Sequence, residues 1–307
     1  MQLLTLSSGP MRVEIAPDTG GAIFAWHHGA TGLLRADVSG TDGGIPARQL
    51  ASFPLIPFSN RIAHGQFTFD GVTYTLPRDA KETRHAMHGN ALYAAWDVAE
   101  SDVSHAVLRL AYSPEREDMP FFPFAYEAEQ RYEVTDTSLR IGLSLRNTDT
   151  RRFPAGFGHH LYFPRRGKTL VKFEAGQMWE NGEDGLPSST TAQFQASLAE
   201  GRALDSTSFD NCFENWQGQA LLSFPQEGHT LSVKASPAFG HCVLFTPPGK
   251  PFFAFEPVTH LNDAVNRMTE TNRHGLVILE PGEVLEGEVT ITYKKSYENS
   301  LWHVSKA

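Results

Sequence analysis

The chain has 307 residues, 40% of them hydrophobic, which is enough to bury a large core. It carries 26 basic and 35 acidic residues, a formal net charge of −9, and no cluster of Lys and Arg offers a counter-ion surface to a phosphate backbone. This charge balance argues against nucleic acid as a partner. The N-terminus lacks a basic leader with a long apolar run, and about 18 consecutive apolar residues occur nowhere, so we expect no membrane span and a cytoplasmic location.

Domain organisation and cysteine content are simple. All-β chains of this length often fold as one domain, so we expect a single domain over residues 1–307. The chain has two cysteines, Cys212 and Cys242, too few for a disulfide framework or a thiolate metal site. We therefore expect both thiols to be small core residues.

Short runs of alternating hydrophobic and polar residues recur along the chain, separated by Gly, Pro, Asn and Asp, whereas helical periodicity is scarce. The predicted strands, apart from those discussed below, are 10–16, 20–27, 103–112, 169–174, 229–235, 241–246, 252–256, 275–280 and 287–294. Their number exceeds what a small barrel or an immunoglobulin-like domain needs, and it predicts a large twisted antiparallel sandwich. Residues 176–216 lack clean alternation and are interpreted as a long excursion over the sheet.

Two segments predict hairpins. In 66–76 the turn pair is Asp70-Gly71, and Asp-Gly supplies the positive φ angles of a two-residue turn. The apolar residues that share one face of this hairpin are Phe67, Phe69, Val72, Tyr74 and Leu76. The second hairpin joins 124–134 to 138–147. Its later strand places Leu139, Ile141, Leu143 and Leu145 on one face and Arg140, Ser144 and Arg146 on the other, as in a sheet buried on one side.

Polar side chains beside aromatic and Gly residues mark five candidate site segments, the first two of which are 53–65 and 84–90. In the first, alternation aims either Asn60 or Arg61 at the concave face, where a guanidinium could hydrogen-bond sugar hydroxyls. The alternative is a surface Arg paired with a carboxylate. In the second, His88 precedes Gly89, which lets the backbone approach a ligand closely.

Two further interpretations of the 84–90 segment remain open. His85 and His88 could be metal ligands, although their spacing on a loop is not diagnostic and no cysteine supports them. A loop histidine can also simply be solvated.

The remaining segments contain titratable residues on predicted strands. His159 and His160 are adjacent, so they must point to opposite faces, and only one of them can reach a cleft, where an imidazole could exchange protons. The alternative is one histidine in the core and one exposed histidine, with no role in chemistry. Asp210 lies between aromatic residues, as in carbohydrate sites or in an Asx-turn. Glu256 lies inside the apolar run 251–258, where burial would make its carboxylate a stronger proton acceptor.

In order and spacing, these segments resemble the aldose 1-epimerase (galactose mutarotase) family over nearly the whole chain. The residues that carry the resemblance are Asn60-Arg61-Ile62, Gly65, Phe67, Gly71, Tyr74, Leu76, His88-Gly89, His160-x-Tyr162-Phe163, Phe209-Asp210, Glu256, Asp263-Ala264-Val265-Asn266 and Leu279-x-Pro281-Gly282-Glu283.

The resemblance implies a β-supersandwich with a concave sugar-binding cleft and a free monosaccharide as substrate. It makes Glu256 the general base and His160 the general acid, with Asn60, Arg61, His88 and Asp210 binding the sugar. No metal or other cofactor is implied, because both steps move only protons. The protein is expected to act as a monomer or a homodimer.

The sequence departs from the galactose-specific members of this family at His159, where they usually have Asn, and at Asn90, where they often have a second Gly. These differences leave the sugar open. The substrate could be a hexose 6-phosphate, with Arg84, Arg165 and Arg166 as candidate phosphate ligands. The alternative, which we favour, is that these three are exposed loop arginines. The same fold could also serve a non-catalytic carbohydrate-binding protein, or a glycoside hydrolase or lyase in which Asp210 supplies a second carboxylate.

Overall fold

The computed structural model describes residues 1–35, 46–78, 84–204 and 208–296. Within this part of the chain there are 26 strands. The first half comprises β1 Leu4–Ser8, β2 Met11–Ala16, β3 Ala22–His28, β4 Thr31–Gly32, β5 Ser52–Leu55, β6 Arg61–Ile62, β7 Gln66–Phe69, β8 Val72–Thr75, β9 Ala86–Met87, β10 Asp97–Ser101, β11 His105–Tyr112, β12 Tyr126–Val134 and β13 Ser138–Asn147. The second half comprises β14 Phe153–Ala155, β15 Gly158–Pro164, β16 Leu170–Phe173, β17 Met178–Asn181, β18 Pro187–Thr191, β19 Arg202–Ala203, β20 Asp210–Glu214, β21 Gln219–Phe224, β22 His229–Ala235, β23 His241–Phe245, β24 Phe252–Val258, β25 Val277–Leu279 and β26 Val284–Lys295. Helices are short: α1 Gln195–Glu200 and α2 Ala264–Arg267, with single 3-10 turns at Ala47–Gln49, Ala63–Gly65, Ala91–Tyr93 and Pro225–Glu227.

Two large antiparallel sheets form the molecule. Among the described residues, an eleven-stranded sheet has the order β1-β2-β3-β5-β15-β24-β23-β20-β17-β18, with β4 paired to β3. A nine-stranded sheet has the order β10-β11-β12-β13-β26-β22-β21-β16-β19. The predicted all-β sandwich is therefore confirmed. Some neighbouring strands, such as β12 and β13, are joined by short turns, whereas others, such as β13 and β26, are far apart in sequence.

The core lies between the two sheets and is rich in aromatic rings. Phe173, on β16 of the nine-stranded sheet, packs edge-on against Phe213 and Phe255 of the other sheet, with ring centroids 5.1 and 5.4 Å apart. Such pairs add to the stabilisation that comes from apolar burial. These contacts identify the face of the eleven-stranded sheet that points into the sandwich. The opposite face, called the site face below, carries the alternate residues.

Both predicted hairpins form. Asp70 and Gly71 have φ angles of 49° and 76°, the positive values that a two-residue turn requires. Phe67 is opposite Tyr74, and Phe69 is opposite Val72, whose side chain is half exposed. In the second hairpin β12 pairs with β13 over nine residues, and the residues predicted to face the core are buried: Leu139, Ile141, Leu143 and Leu145.

The interpretation of 176–216 as an excursion over the sheet is wrong. This region contains β17, β18 and β20, which extend the eleven-stranded sheet, and β19, which ends the nine-stranded one. Alternation is weak here for physical reasons. An edge strand such as β18 is solvated on both faces, and β20 places polar residues on the site face where a core strand would place apolar ones.

Cys212 and Cys242 are buried free thiols, as expected for core residues. In residues 1–35, 46–78, 84–204 and 208–296, none of the helices has the length and hydropathy needed to cross a bilayer.

Candidate active site

Strand register aligns several predicted residues across the sheet. His160 on β15 is paired with Phe53 on β5, and the β15–β24 register sets it beside Glu256. Glu256 is paired with Val243 on β23, which is paired with Cys212 on β20. Side chains directly opposite in an antiparallel sheet share a face. The register therefore places His160 and Glu256 side by side on the site face.

A second row on the same face brings Asp210 to the site. Tyr162 is paired with Ala254, Ala254 with Phe245, and Phe245 with Asp210. Each of these residues is two positions along its strand from a member of the first row, so its side chain points the same way. Asp210 thus shares the site face with Glu256, two strands away.

His159 points to the other face, as alternation requires. It is fully buried inside the sandwich, where its Nδ1 lies 2.5 Å from Ser52 Oγ. Burial lowers the pKa of His159 to about 3, so this imidazole is neutral at physiological pH. Of the two adjacent histidines, His160 is the one that reaches the site.

His160 and Glu256 form a buried acid–base pair. His160 Nε2 lies 3.1 Å from Glu256 Oε1, and the side chains are only 7% and 3% exposed. Burial, with smaller contributions from Arg35 and Arg48, holds the pKa of His160 well below its usual value. Burial and the nearby Asp210 carboxylate hold the pKa of Glu256 well above its usual value. Both shifts favour a pair that holds one proton and carries no net charge.

One buried polar atom of each residue in the pair lacks a hydrogen-bond partner. His160 Nδ1 and Glu256 Oε2 are buried, and neither has a hydrogen-bond partner within the described ranges. Buried polar atoms without partners are costly, by about 1 to 3 kcal/mol each, and so they commonly mark a site where a ligand or an ordered water binds.

Aromatic and cationic residues surround this pair. The His160 ring stacks on Phe53, with centroids 4.7 Å apart, and lies 4.3 Å from the Tyr162 ring. The guanidinium of Arg35 lies 3.7 Å above the Tyr162 ring, and its NH2 group donates to the carbonyl of Arg48. Sequence reasoning assigned no role to Phe53, Arg35 or Arg48. Register with His160 could have identified Phe53, whereas nothing local distinguishes the two arginines.

Arg61 reaches toward Asp210 across the sheet. Its Nη2 lies 3.6 Å from Asp210 Oδ2, and its side chain is 13% exposed against 45% for Asp210. Asn60 fixes this arrangement, because its Oδ1 accepts hydrogen bonds from the Arg61 backbone N–H at 2.9 Å and from Nη1 at 3.2 Å. Asn60 is buried and has a positive φ of 58°. Its oxygen therefore orients Arg61, while Arg61 and Asp210 present polar groups beside the acid–base pair.

His88 completes the cluster. Its ring is perpendicular to that of His160, with centroids 5.6 Å apart. The backbone N–H of Asn60 donates to His88 Nδ1 at 3.2 Å, so the ring proton is on Nε2. Burial lowers the pKa of His88 well below its usual value, and Arg48 and His160 add to this effect. His88 is thus a neutral imidazole that can donate a hydrogen bond.

His85 is not available to act as a metal ligand with His88. Its Nδ1 accepts from the His64 N–H at 3.1 Å, and its Nε2 donates to the carbonyl of Asp184 at 3.0 Å. Across the described ranges, no three or more His, Cys, Asp and Glu side chains cluster as metal ligands. His85 instead holds the 182–186 loop against the site.

The sequence and the fold of this chain are similar to those of known proteins. The sequence profile described as aldose 1-epimerase matches residues 2–292. Protein YphB of Escherichia coli K12, whose activity is uncharacterised, is 29% identical over 301 residues, which are 95% of this chain and 98% of YphB. A crystal structure of a candidate aldose 1-epimerase from Escherichia coli K12 superposes with a TM-score of 0.85 at 26% identity, over 96% of this chain and 99% of that one. A galactose mutarotase-like protein from Clostridium acetobutylicum superposes with a TM-score of 0.82 at 20% identity, over 95% of each chain.

Proposed function

The chain belongs to the aldose 1-epimerase family, and on that premise we propose that it interconverts the α and β anomers of a free aldose. The observation that carries the proposal is the buried contact of 3.1 Å between His160 Nε2 and Glu256 Oε1. Mutarotation requires one proton to leave the anomeric hydroxyl and another to reach the ring oxygen. Both oxygens are bonded to C1, so an acid and a base this close together can serve them at once.

The proposed reaction starts from the ionised form of the one-proton pair, with Glu256 as a carboxylate and His160 as an imidazolium. Glu256 removes the proton of the anomeric hydroxyl while His160 donates its proton to the ring oxygen, which leaves the pair in the neutral form that burial favours. The bond between C1 and the ring oxygen breaks, its electron pair goes to the ring oxygen, and an aldehyde forms. Rotation about the C1–C2 bond turns the other face of the aldehyde toward the ring hydroxyl. Closure with the two roles reversed gives the other anomer and restores the pair. Since only protons move, the chemistry requires no redox cofactor or metal.

The electrostatics of the pair suit this cycle. Burial penalises charge on both partners, so gaining or losing a proton is costly, whereas moving one proton between the partners through the sugar leaves the total charge unchanged. In the proposal, Arg61, Asp210 and the Nε2–H of His88 bind the sugar hydroxyls and fix the anomeric carbon against the pair. Asn60 contributes by orienting Arg61.

The geometry favours this reaction over glycoside hydrolysis. The direct partner of Glu256 is an imidazole, whereas a hydrolase normally places two carboxyl groups about 5 to 9.5 Å apart around the scissile bond. Asp210 lies across the intervening strand β23 from Glu256, so strand pairing does not set the two carboxylates side by side as it does His160 and Glu256. Asp210 is, in addition, within reach of Arg61.

Two of the three arginines considered as phosphate ligands, Arg165 and Arg166, have other contacts. Arg165 Nη1 donates to the carbonyl of Pro247 at 3.3 Å, and Arg166 Nη1 lies 3.6 Å from Glu227 Oε2. The proposal is therefore made for an unphosphorylated aldose. The test is polarimetry on freshly dissolved α-D-glucose, α-D-galactose and other aldoses, with hexose 6-phosphates alongside and a chelator present. Faster equilibration of a free aldose than in the blank supports the proposal, and no acceleration of any sugar refutes it.

A further inference from the structure

The Asp263-Ala264-Val265-Asn266 motif lies outside the acid–base pair, yet it contacts the segment that carries Arg61. Arg61 and Ile62 form a two-residue strand, β6, whose ladder partner is the equally short β9. So short a ladder supplies few hydrogen bonds to fix the direction of a long side chain. Other contacts must hold this segment in place.

Asp263 supplies those contacts on both sides of Ile62. Its backbone N–H donates to the carbonyl of Arg61 at 2.8 Å, and its Oδ1 accepts from the N–H of Ala63 at 2.9 Å. One residue therefore holds the carbonyl before Ile62 and the amide after it. Hydrogen bonds to a carboxylate are stronger than those between neutral groups, which makes this clamp stiff.

Asn266 braces the clamp. Its Nδ2 donates to Asp263 Oδ1 at 2.8 Å and to the carbonyl of Gln66 at 2.9 Å, and Arg267 Nε lies 3.7 Å from Asp263 Oδ2. The Asp263 side chain is only 5% exposed. Water therefore competes little with these bonds, and the carboxylate is held in one orientation.

The backbone conformation of Asp263 is unfavourable in itself. Its φ of 56° is in the left-handed region, where a residue with a side chain is strained by about 1 to 3 kcal/mol. In this conformation the N–H faces the Arg61 carbonyl while the side chain reaches Ala63. The strain is therefore offset by contacts, of which the bonds to the Arg61 carbonyl and the Ala63 amide hold the Arg61 segment.

We infer that Asp263 is a positioning residue, which aims the Arg61 guanidinium at Asp210 and at the sugar, and does so without touching the acid–base pair. The inference rests on the proposed function only in that it names Arg61 as a sugar ligand. A carboxylate that holds a ligand-bearing strand acts on catalysis through the position of that ligand, and a misplacement of about 1 Å can cost about 100-fold in rate.

A double-mutant cycle tests this role. Asp263→Ala is expected to lower kcat/KM by about tenfold or more in the wild-type background, mainly through a higher KM, and by less than about twofold when Arg61 is already Ala. Asp263→Asn keeps an oxygen that can accept from Ala63, so it should restore most of the loss. The pH dependence of kcat should change less in Asp263→Ala and Asp263→Asn than in Arg61→Ala, because the Arg61 charge lowers the pKa of Glu256 and is kept in the two Asp263 variants.

Asp149 offers a matched control. Its side chain is 9% exposed, it accepts from the backbone N–H groups of Ala125 and Arg151 at 3.0 and 2.9 Å, and it pairs with the Arg151 side chain. Asp149→Ala should therefore lower the melting temperature about as much as Asp263→Ala while leaving KM unchanged. If it lowered kcat/KM equally, the inference would be overturned.

An equal loss from Asp263→Ala with and without Arg61 would also overturn the inference, since the carboxylate would then act independently of that side chain. Should Asp263→Ala fail to fold, the cycle is run with Asn266→Ala, for which the same coupling to Arg61 is expected. The same double-mutant cycle can be built from sugar affinities measured by calorimetry, which do not depend on catalytic turnover. A wild-type protein that accelerates no sugar refutes the proposed function, whereas additivity in the cycle refutes the positioning role.

Discussion

Gly89 is the position where a single methyl group should do most damage to the site. A Cβ built on Gly89 would lie 1.9 Å from the carbonyl oxygen of Ile56, 2.3 Å from its carbonyl carbon and 2.7 Å from Pro57 N. Contacts between non-bonded atoms are favourable only near about 3.5 Å, and every atom in the way is backbone. Gly89→Ala therefore requires the chain to shift by more than about 1 Å.

The expected cost has three parts. Alanine in the left-handed conformation costs about 1 kcal/mol, and overpacking costs about 1 to 3 kcal/mol. Displacement also weakens the bonds that Asn90 and Ala91 donate to the Ile56 carbonyl at 3.0 and 3.2 Å, worth about 1 kcal/mol each. We expect Gly89→Ala to lower the free energy of unfolding by about 3 to 5 kcal/mol. Because His88 is the preceding residue, kcat/KM should fall by about 100-fold.

Gly71 provides the control. Its φ of 76° is close to the 69° of Gly89, but a Cβ there meets no atom within 4 Å. Gly71→Ala should cost about 1 kcal/mol and leave kcat/KM unchanged. Urea unfolding and polarimetry on both variants separate the cost of the steric clash from the cost of the left-handed conformation. Equal stability losses, or full activity in Gly89→Ala, would refute this reasoning.

Two further predictions follow from the site and the core. Arg61→Lys should lower kcat/KM by about tenfold or more, because an ammonium cannot replace the guanidinium fork facing Asn60 and Asp210. The control is Arg131→Lys, at an exposed arginine. Normal steady-state kinetics in Arg61→Lys would contradict the assignment of Arg61 as a sugar ligand. His260 is buried with a pKa lowered to about 4, mainly by desolvation. In the unfolded chain this imidazole takes up a proton near pH 6.5, whereas in the folded chain it stays neutral down to about pH 4. The free energy of unfolding therefore falls as the pH drops from 6.5 toward 4, by about 2 kcal/mol at pH 5. His260→Gln should make the decline in stability between pH 7 and 5 shallower in urea unfolding, and an unchanged decline would contradict it.

The parts of the fold that follow from local pattern were predictable. The second hairpin shows this, since β13 occupies the predicted residues 138–147 and its alternating leucines face the core. The strand β5 shows the limit. All four of its residues are buried, so it has no alternation to detect. The strand β20 was missed for a different reason, because its polar residue Asp210 belongs to the site face.

Residue chemistry identified candidates, but their spatial relations depend on strand order. Glu256 and His160 are 96 positions apart in sequence, and they meet because β24 pairs with β15. Adjacency could be expected from the family resemblance, not from either segment alone. The opposite orientation of His159 could be predicted, since it needs only the alternation of a strand. The supporting role of Asp263 could not be, because it depends on a turn with a positive φ that brings the chain back to Arg61.

The most direct test of the account compares anomer interconversion by wild-type protein, Glu256→Gln and His160→Asn at equal concentration, followed by polarimetry on the sugar that the wild type equilibrates fastest. Each substitution removes proton transfer while keeping a side chain of similar shape in the same buried row. The account predicts that each variant loses at least about 100-fold in kcat with a smaller change in KM, as expected for lost general acid or base catalysis. Near-normal kcat in both folded variants would contradict it.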